Sequence, residues 1–424
     1  MAKMYKHSKY NIVLKKKGTN TVIFNSYSGG ISEFDENTYV DLMTLNTKSP
    51  YFSEMLKQGF VVTSEIDETK RIIEHHYRYI YNSHPEKMQF TIATTLNCPL
   101  NCYYCFENKA NKNMDIITAK KVIKMIIDSI SNNSNCKQVH ITWFGGEPLL
   151  SCSIIEEIGN ELVAFCKSKR VEITAKMLTS GVLFDSCVFD KFVDNGFLTS
   201  VQYTLDGDEN DFINSKRGTA KQYSNLIRAI KYSSERIDTY VRMNVTKENK
   251  TNLLSVVEQI IKDILPTSKI IFYAMPVVDY GNNIDNSCII YSENEISSFR
   301  KELVNLLKRY DIYNYYVNRK PRVLAAFCGA MRLTNLTFGP EGEIYRCENL
   351  VGKKDQVIGD VDNGLYYNEA NYVLPLKEIN QKCLDCEYLP VCWEGCPAHK
   401  EIYKHEYDCE GFKNNFAEVM LNNI

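Results

Sequence analysis

At 424 residues the chain is too long for one small domain, and two or three domains around a substantial core are expected. Its 50 Lys and Arg against 52 Asp and Glu leave a formal net charge of -2, which argues against nucleic acid as a partner. No apolar run reaches membrane-spanning length, the start Met1-Ala2-Lys3-Met4-Tyr5-Lys6 leads into polar sequence, and fifteen cysteines, an odd number, do not read as a secreted disulfide framework. The expectation is a cytoplasmic protein, with no membrane partner, whose thiolates bind metal in a reducing cell.

Three strand-like segments come first, predicted over residues 11–16, 21–26 and 30–34 and separated by Gly18 and by Gly29-Gly30. They predict a small β-meander. Asp35 is placed to cap a helix starting near Glu36, and a second helical stretch over 52–58 should stop at Gly59, before Phe60-Val61-Val62. That order suits a winged-helix-like module over residues 1–85, or a plain structural extension packed on the next domain.

From Met88 the pattern changes. Strands are predicted over 90–95, 139–144, 172–178, 201–205, 240–245 and 269–274, alternating with amphipathic helical stretches over 117–130, 154–166, 223–232 and 253–261. Six such units over residues 86–315 predict an α/β fold with a parallel sheet, a partial (β/α)6 barrel of the TIM-like kind. Chemistry in these sheets collects at the C-terminal ends of the strands. The cysteine cluster at 98–105, the Gly145-Gly146-Glu147-Pro148 turn, Thr179-Ser180-Gly181 and Asp206-Gly207 each lie just past a predicted strand, so they should share one rim. From about Arg322 the alternation stops, and residues 316–424 form a third, loop-rich region in which metal clusters could replace a conventional core.

Cys98, Cys102 and Cys105 set three thiolates on one short loop. A four-iron cubane held by three thiolates leaves one iron open to a small chelating molecule. A structural zinc site usually closes all four positions, and no further Cys or His stands within ten residues on either side. In the Gly145-Gly146-Glu147 turn the glycines let a ligand approach the backbone, and Glu147 with strand-end carbonyls can accept bonds from an ammonium group.

A CxxxCxxC loop after the first strand of a βα barrel resembles the radical S-adenosylmethionine (SAM) superfamily. The resemblance implies a [4Fe–4S] cluster on Cys98, Cys102 and Cys105 whose open iron takes the amino and carboxylate groups of SAM. It also implies reductive cleavage of SAM to methionine and a 5′-deoxyadenosyl radical. By the same resemblance, Gly145, Gly146 and Glu147 meet the SAM amino group, and Thr204, in Thr204-Leu205-Asp206-Gly207, reaches the ribose. Arg217 would hold the carboxylate, with Arg242 and Asn244 on the fifth strand as alternatives, and Tyr104 would lie near the adenine or simply pack.

The distal cysteines, Cys328, Cys347, Cys383, Cys386, Cys392, Cys396 and Cys409, with Gly342 between the first two, resemble the seven-cysteine SPASM domain. That implies two auxiliary [4Fe–4S] clusters, three in all: an outer one on Cys383, Cys386, Cys392 and Cys409, and an inner one on Cys328, Cys347 and Cys396. A pair of zinc sites is the alternative. Residues 318–327 lack the further cysteine that completes the inner site in some relatives, and Cys288 is the nearest substitute. An open inner iron could take a substrate thiolate. Glu348 stands where sulfatase maturases of this family place an acidic base, and Asp206 is grouped with it in the expected catalytic set. The other five cysteines, Cys136, Cys152, Cys166, Cys187 and Cys288, read as small apolar residues.

The function implied is a maturase of a ribosomally made precursor peptide, gripped by its leader segment through strand addition and crosslinked, for instance, through a cysteine thioether. A donor such as ferredoxin or flavodoxin would supply electrons. A sulfatase maturase forming formylglycine and a non-catalytic iron–sulfur electron carrier are the competing readings.

Overall fold

The computed structural model describes residues 3–17, 20–107, 109–264, 269–277, 293–312, 323–404 and 407–421. Cys288, and with it the question of a distant inner ligand, lies outside the described residues. The chain divides into two compact units: Met1–Tyr81 with Val317–Arg332 and Leu376–Ile424, and Asn82–Tyr316 with Leu333–Pro375. These units do not coincide with the stretches 1–85, 86–315 and 316–424 expected from the pattern.

In the first unit the meander forms as β2 (Asn11–Lys17), β3 (Asn20–Asn25) and β4 (Ile31–Phe34), antiparallel in that order, with Phe24 opposite Ile31. The turn into β4 is built by Asn25, whose Oδ1 accepts the Tyr27 and Ser28 amides at 3.1 and 2.8 Å. Asp35 caps α1 (Glu36–Met43), accepting the Thr38 amide at 2.8 Å, and α2 spans Phe52–Lys57. Two elements were not legible in the pattern. A short strand β1 (Tyr5–His7) pairs antiparallel with β5 (Val61–Thr63), and α3 (Glu68–Ile80) follows. Glu68 of α3 is buried because Ser8 Oγ and the Lys9 amide donate to its carboxylate at 2.6 and 2.9 Å.

The core of this unit draws on both ends of the chain. Ile12 and Phe24 pack with Tyr388, Val391, Phe416 and Met420, while Tyr10 and Ile72 pack with Leu389 and Trp393. Each such side chain, fully buried, contributes about 1.5–3 kcal/mol. The cysteine-rich C-terminal segment is therefore seated on the N-terminal strands by an ordinary apolar core.

The second unit holds six parallel strands: β6 (Lys87–Ala93), β7 (Gln138–Phe144), β8 (Glu172–Thr179), β9 (Ser200–Leu205), β10 (Asp238–Val245) and β11 (Ile270–Pro276). They are hydrogen-bonded in sequence order, as βα repeats dictate. The crossover helix α4 (Ile116–Ser131) shows why: Ala119, Val122, Ile123, Ile126 and Ile130 recur three or four residues apart and are all buried. The sheet continues past β6. Leu336–Phe338 pairs parallel to it and Glu343–Tyr345 antiparallel to that, so part of the stretch read as loop-rich completes the sheet. Among the described residues no helix is long and apolar enough to cross a membrane.

Candidate active site

The C-terminal ends of all six strands open on one cavity of about 380 Å³. The loop after β6 brings Cys98, Cys102, Tyr104 and Cys105 to it, β7 brings Gly145 and Gly146, and β9 brings Gln202 and Thr204. Arg242 and Asn244 enter from β10, and Glu348 from the segment after Cys347.

The two glycines are needed for a different neighbour than the pattern suggested. Gly145 has φ +120, and a Cβ there would stand 2.2 Å from the Thr95 carbonyl oxygen; one on Gly146 would stand 2.4 Å from that of Asn97. The backbone that leads into the cysteine loop fills that space. The Gly146 and Glu147 amides donate to the Thr95 and Asn97 carbonyls, each at 2.9 Å, so the turn fixes where the loop begins. On its far side the loop is tied by the Asn101 and Tyr103 amides to the Lys216 and Ser215 carbonyls.

Glu147 is fully buried and does not line the cavity. Its carboxylate accepts the Leu149 amide at 3.2 Å, Thr179 Oγ1 at 2.6 Å, the Ser180 amide at 2.9 Å and Ser180 Oγ. With four donors satisfied, it joins the ends of β7 and β8 and has no capacity left for an ammonium group. Asp206 is likewise buried and off the cavity wall: Tyr104 Oη and Ser215 Oγ donate to its Oδ2, while Oδ1 has no partner among the described residues. Burial and the neighbouring Asp206 hold the Tyr104 hydroxyl well above its usual range, so it stays a donor.

Arg217 is exposed and does not line the cavity. The helix Glu209–Lys216 ends there, and Arg217 takes the left-handed conformation (φ 51) that closes it. Its neighbour Lys216 does line the cavity, 1 % exposed, with Nζ 2.6 Å from the Thr204 carbonyl oxygen and 3.7 Å from Asp206 Oδ2. Gln202 is the other lining residue the pattern passed over. Lys176 Nζ and Tyr273 Oη both donate to its Oε1, at 2.8 and 2.7 Å, which turns its amide nitrogen to donate elsewhere. Lys176 lies 4.4 Å above the Tyr240 ring, and burial, with Arg242 nearby, lowers its ammonium to about 8.

Burial raises the three loop thiols, Cys98 to about 12 and Cys105 to about 11, as expected of thiols that only a metal would hold deprotonated. Three thiols on one loop, with Lys216 and Arg242 lining the same cavity, suit a cluster with an open iron that takes an anionic chelator. In the first unit, Cys383 and Cys386 sit within one turn, the Cys386 amide 3.1 Å from the Cys383 carbonyl oxygen. Burial pushes the Cys383 thiol up to about 12, with Glu394, Cys409 and Cys392 adding to it, so these cysteines are neighbours. Four thiols are the donor chemistry of a closed cluster. Of the expected inner ligands, Cys328 and Cys396 belong to the first unit and Cys347 to the second.

Residues 92–260 match the model of the radical SAM superfamily. The chain carries a radical SAM enzyme domain. Around that domain it is 22% identical over 349 residues to the serine-type anaerobic sulfatase-maturating enzyme of Klebsiella aerogenes, across 76% of this chain and 82% of that one. It is 26% identical over 213 residues to the radical SAM cyclopropyl synthase TigE of Paramaledivibacter caminithermalis, across 42% of this chain and 44% of that one. Among solved structures, anSMEcpe with bound AdoMet superposes with a TM-score of 0.60 at 16% identity, covering 79% of this chain and 97% of that one. SuiB of Streptococcus suis bound to its precursor peptide SuiA superposes with 0.56 at 15% identity, covering 93% and 95%. The radical SAM domain thus has the α/β fold with a parallel sheet shared by these neighbours.

Proposed function

We propose that this protein is a cytoplasmic radical SAM peptide maturase that crosslinks a ribosomally made precursor. The observation that carries the reading is the single cavity that joins Cys98, Cys102 and Cys105 to Glu348, the residue after Cys347. Cys98, Cys102 and Cys105 would hold a [4Fe–4S] cluster, which when bound would supply the electron for cleaving SAM to methionine and a 5′-deoxyadenosyl radical. Lys216 and Arg242 hold the SAM carboxylate, Thr204 its ribose, and Tyr104 and Asn244 border the adenine side. Glu348 takes the proton released when the substrate radical is oxidised. The SPASM cysteines would hold auxiliary clusters able to accept the remaining electron, and a donor such as ferredoxin or flavodoxin would reduce the first cluster. The inner site, with three cysteines and so one ligand short of closure, would be open to a substrate thiolate, which favours a thioether product.

The first unit supports a peptide substrate. Strand β4 is the outer strand of its sheet, and beside it a cleft of about 410 Å³ runs between β4, α1 and α2, past Phe34, Tyr51 and Met55. An extended leader segment could pair with that edge and bury its side chains in the cleft. The SuiB structure is itself a complex with a precursor peptide.

The test is anaerobic reconstitution, reduction and incubation with SAM, read as 5′-deoxyadenosine. Its absence would end the enzyme reading. With a cysteine-rich peptide encoded beside the gene, a loss of two hydrogen masses per crosslink is expected. Formylglycine in a sulfatase-derived peptide instead would favour the second reading, which the resemblance to the Klebsiella aerogenes enzyme supports.

A further inference from the structure

Besides Glu68, two charged side chains in the first unit are buried almost completely. Lys377 is 1 % exposed and Glu394 5 %, with Lys377 Nζ 3.0 Å from Glu394 Oε2. Lys400 Nζ reaches the same oxygen at 3.1 Å, and Glu394 Oε1 accepts the Asn380 amide at 2.8 Å. Burying ions costs several kcal/mol each unless something specific is gained, and an apolar pair would pack as well. The group is also unbalanced: two ammonium ions face one carboxylate.

Its position supplies the reason. Glu394 stands between Cys392 and Cys396 in a left-handed run, with φ 49 at Trp393, 60 at Glu394 and 73 at Gly395. For the two non-glycine residues this conformation is unfavourable. The run is clamped: the Trp393 ring stacks on His76 at 4.2 Å and its Nε1 donates to the Leu324 carbonyl at 2.7 Å. Held in this way, Glu394 anchors the Asn380 amide, and Asn380 caps the turn that carries Cys383 and Cys386; its charge is near enough to Cys383 to help raise that thiol.

We infer that Lys377, Glu394 and Lys400 form an electrostatic cradle that positions the turn of Cys383 and sets the reduction potential of the outer cluster. The inference rests on the proposed reading of Cys383, Cys386, Cys392 and Cys409 as ligands of a [4Fe–4S] cluster. One-electron reduction adds a negative charge to a cluster that four thiolates already make anionic. A buried cation favours the reduced form, and a carboxylate opposes it. Lys377 and Lys400 therefore raise the potential and Glu394 lowers it, acting as positioning and tuning residues.

The test uses the full chain with Cys98→Ala, Cys102→Ala and Cys105→Ala, reconstituted anaerobically, assayed for iron and titrated with dithionite while the cluster is followed by electron paramagnetic resonance. Lys377→Met and Lys400→Met should shift the outer midpoint potential downward, and Glu394→Gln should shift it upward. A purely structural role would give iron loss in all three, or no shift. Normal iron with unmoved potentials overturns the inference and leaves the cluster reading intact. Zinc, or no iron, on Cys383, Cys386, Cys392 and Cys409 overturns the cluster reading and the inference with it. Should Lys377→Met fail to fold, Lys400→Met, at a half-exposed position, decides the sign on its own.

Discussion

Lys216 Nζ makes one bond to the Thr204 carbonyl and lies 3.7 Å from Asp206, which leaves donor capacity for an anion in the cavity that it lines. A charge-assisted bond to a carboxylate contributes about 1.5–3 kcal/mol. Lys216→Met should thus weaken SAM binding by about ten- to a hundredfold in equilibrium dialysis, and Arg217→Ala should leave it within about twofold. Equal losses in the two variants would overturn that assignment. Lys176 gives a second prediction, read from stability. Its folded value of about 8 lies below the usual 10.5, so above pH 8 the unfolded chain binds the proton that the folded chain has released. Stability conferred by the wild-type residue must then rise with pH. Compared with Lys176→Met in denaturant titrations, the wild type should gain ground from pH 7 to pH 10, and a flat difference would contradict it. At this scale the sequence names the chemistry better than the neighbours. Residues 202 and 204, like 242 and 244, share a strand face by simple alternation, so Gln202 was within reach of the pattern. The choice between Lys216 and Arg217 was not, because it turns on which residue ends a helix.

Gly146 shows how one element positions another. A Cβ there meets the Asn97 carbonyl oxygen at 2.4 Å, a contact with backbone that cannot yield. Gly146→Ala should displace the cysteine loop and reduce bound iron by about four atoms per chain, the content of one cubane, while circular dichroism stays that of the wild type. Retention of full iron would show that the loop tolerates the shift. The six strands and the meander were legible because long alternating or apolar segments carry a strong period. Leu336–Phe338 and Glu343–Tyr345 were not. Three residues are too few to show a period, and their pairing on β6 is decided by contacts far away in sequence.

For the whole molecule, the shared core of the first unit sets the outcome of truncation. Deleting residues 1–85 removes Tyr10, Ile12, Phe24 and Ile72, and so exposes the apolar faces of Tyr388, Leu389, Trp393 and Phe416. The shortened chain should aggregate and lose iron at the proposed outer site; a soluble truncated protein with full iron would show that the segments are separable. Spacing cannot reveal such a partnership, since nothing local to either end marks the other as its packing partner. There is also a consequence in time. Synthesis proceeds from the first residue to the last, and residues 82–375 can complete their sheet while the ribosome is still working. The N-terminal strands must wait for Tyr388 through Met420 to emerge before their second face is covered, so they are made before the six-stranded sheet and finish folding after it.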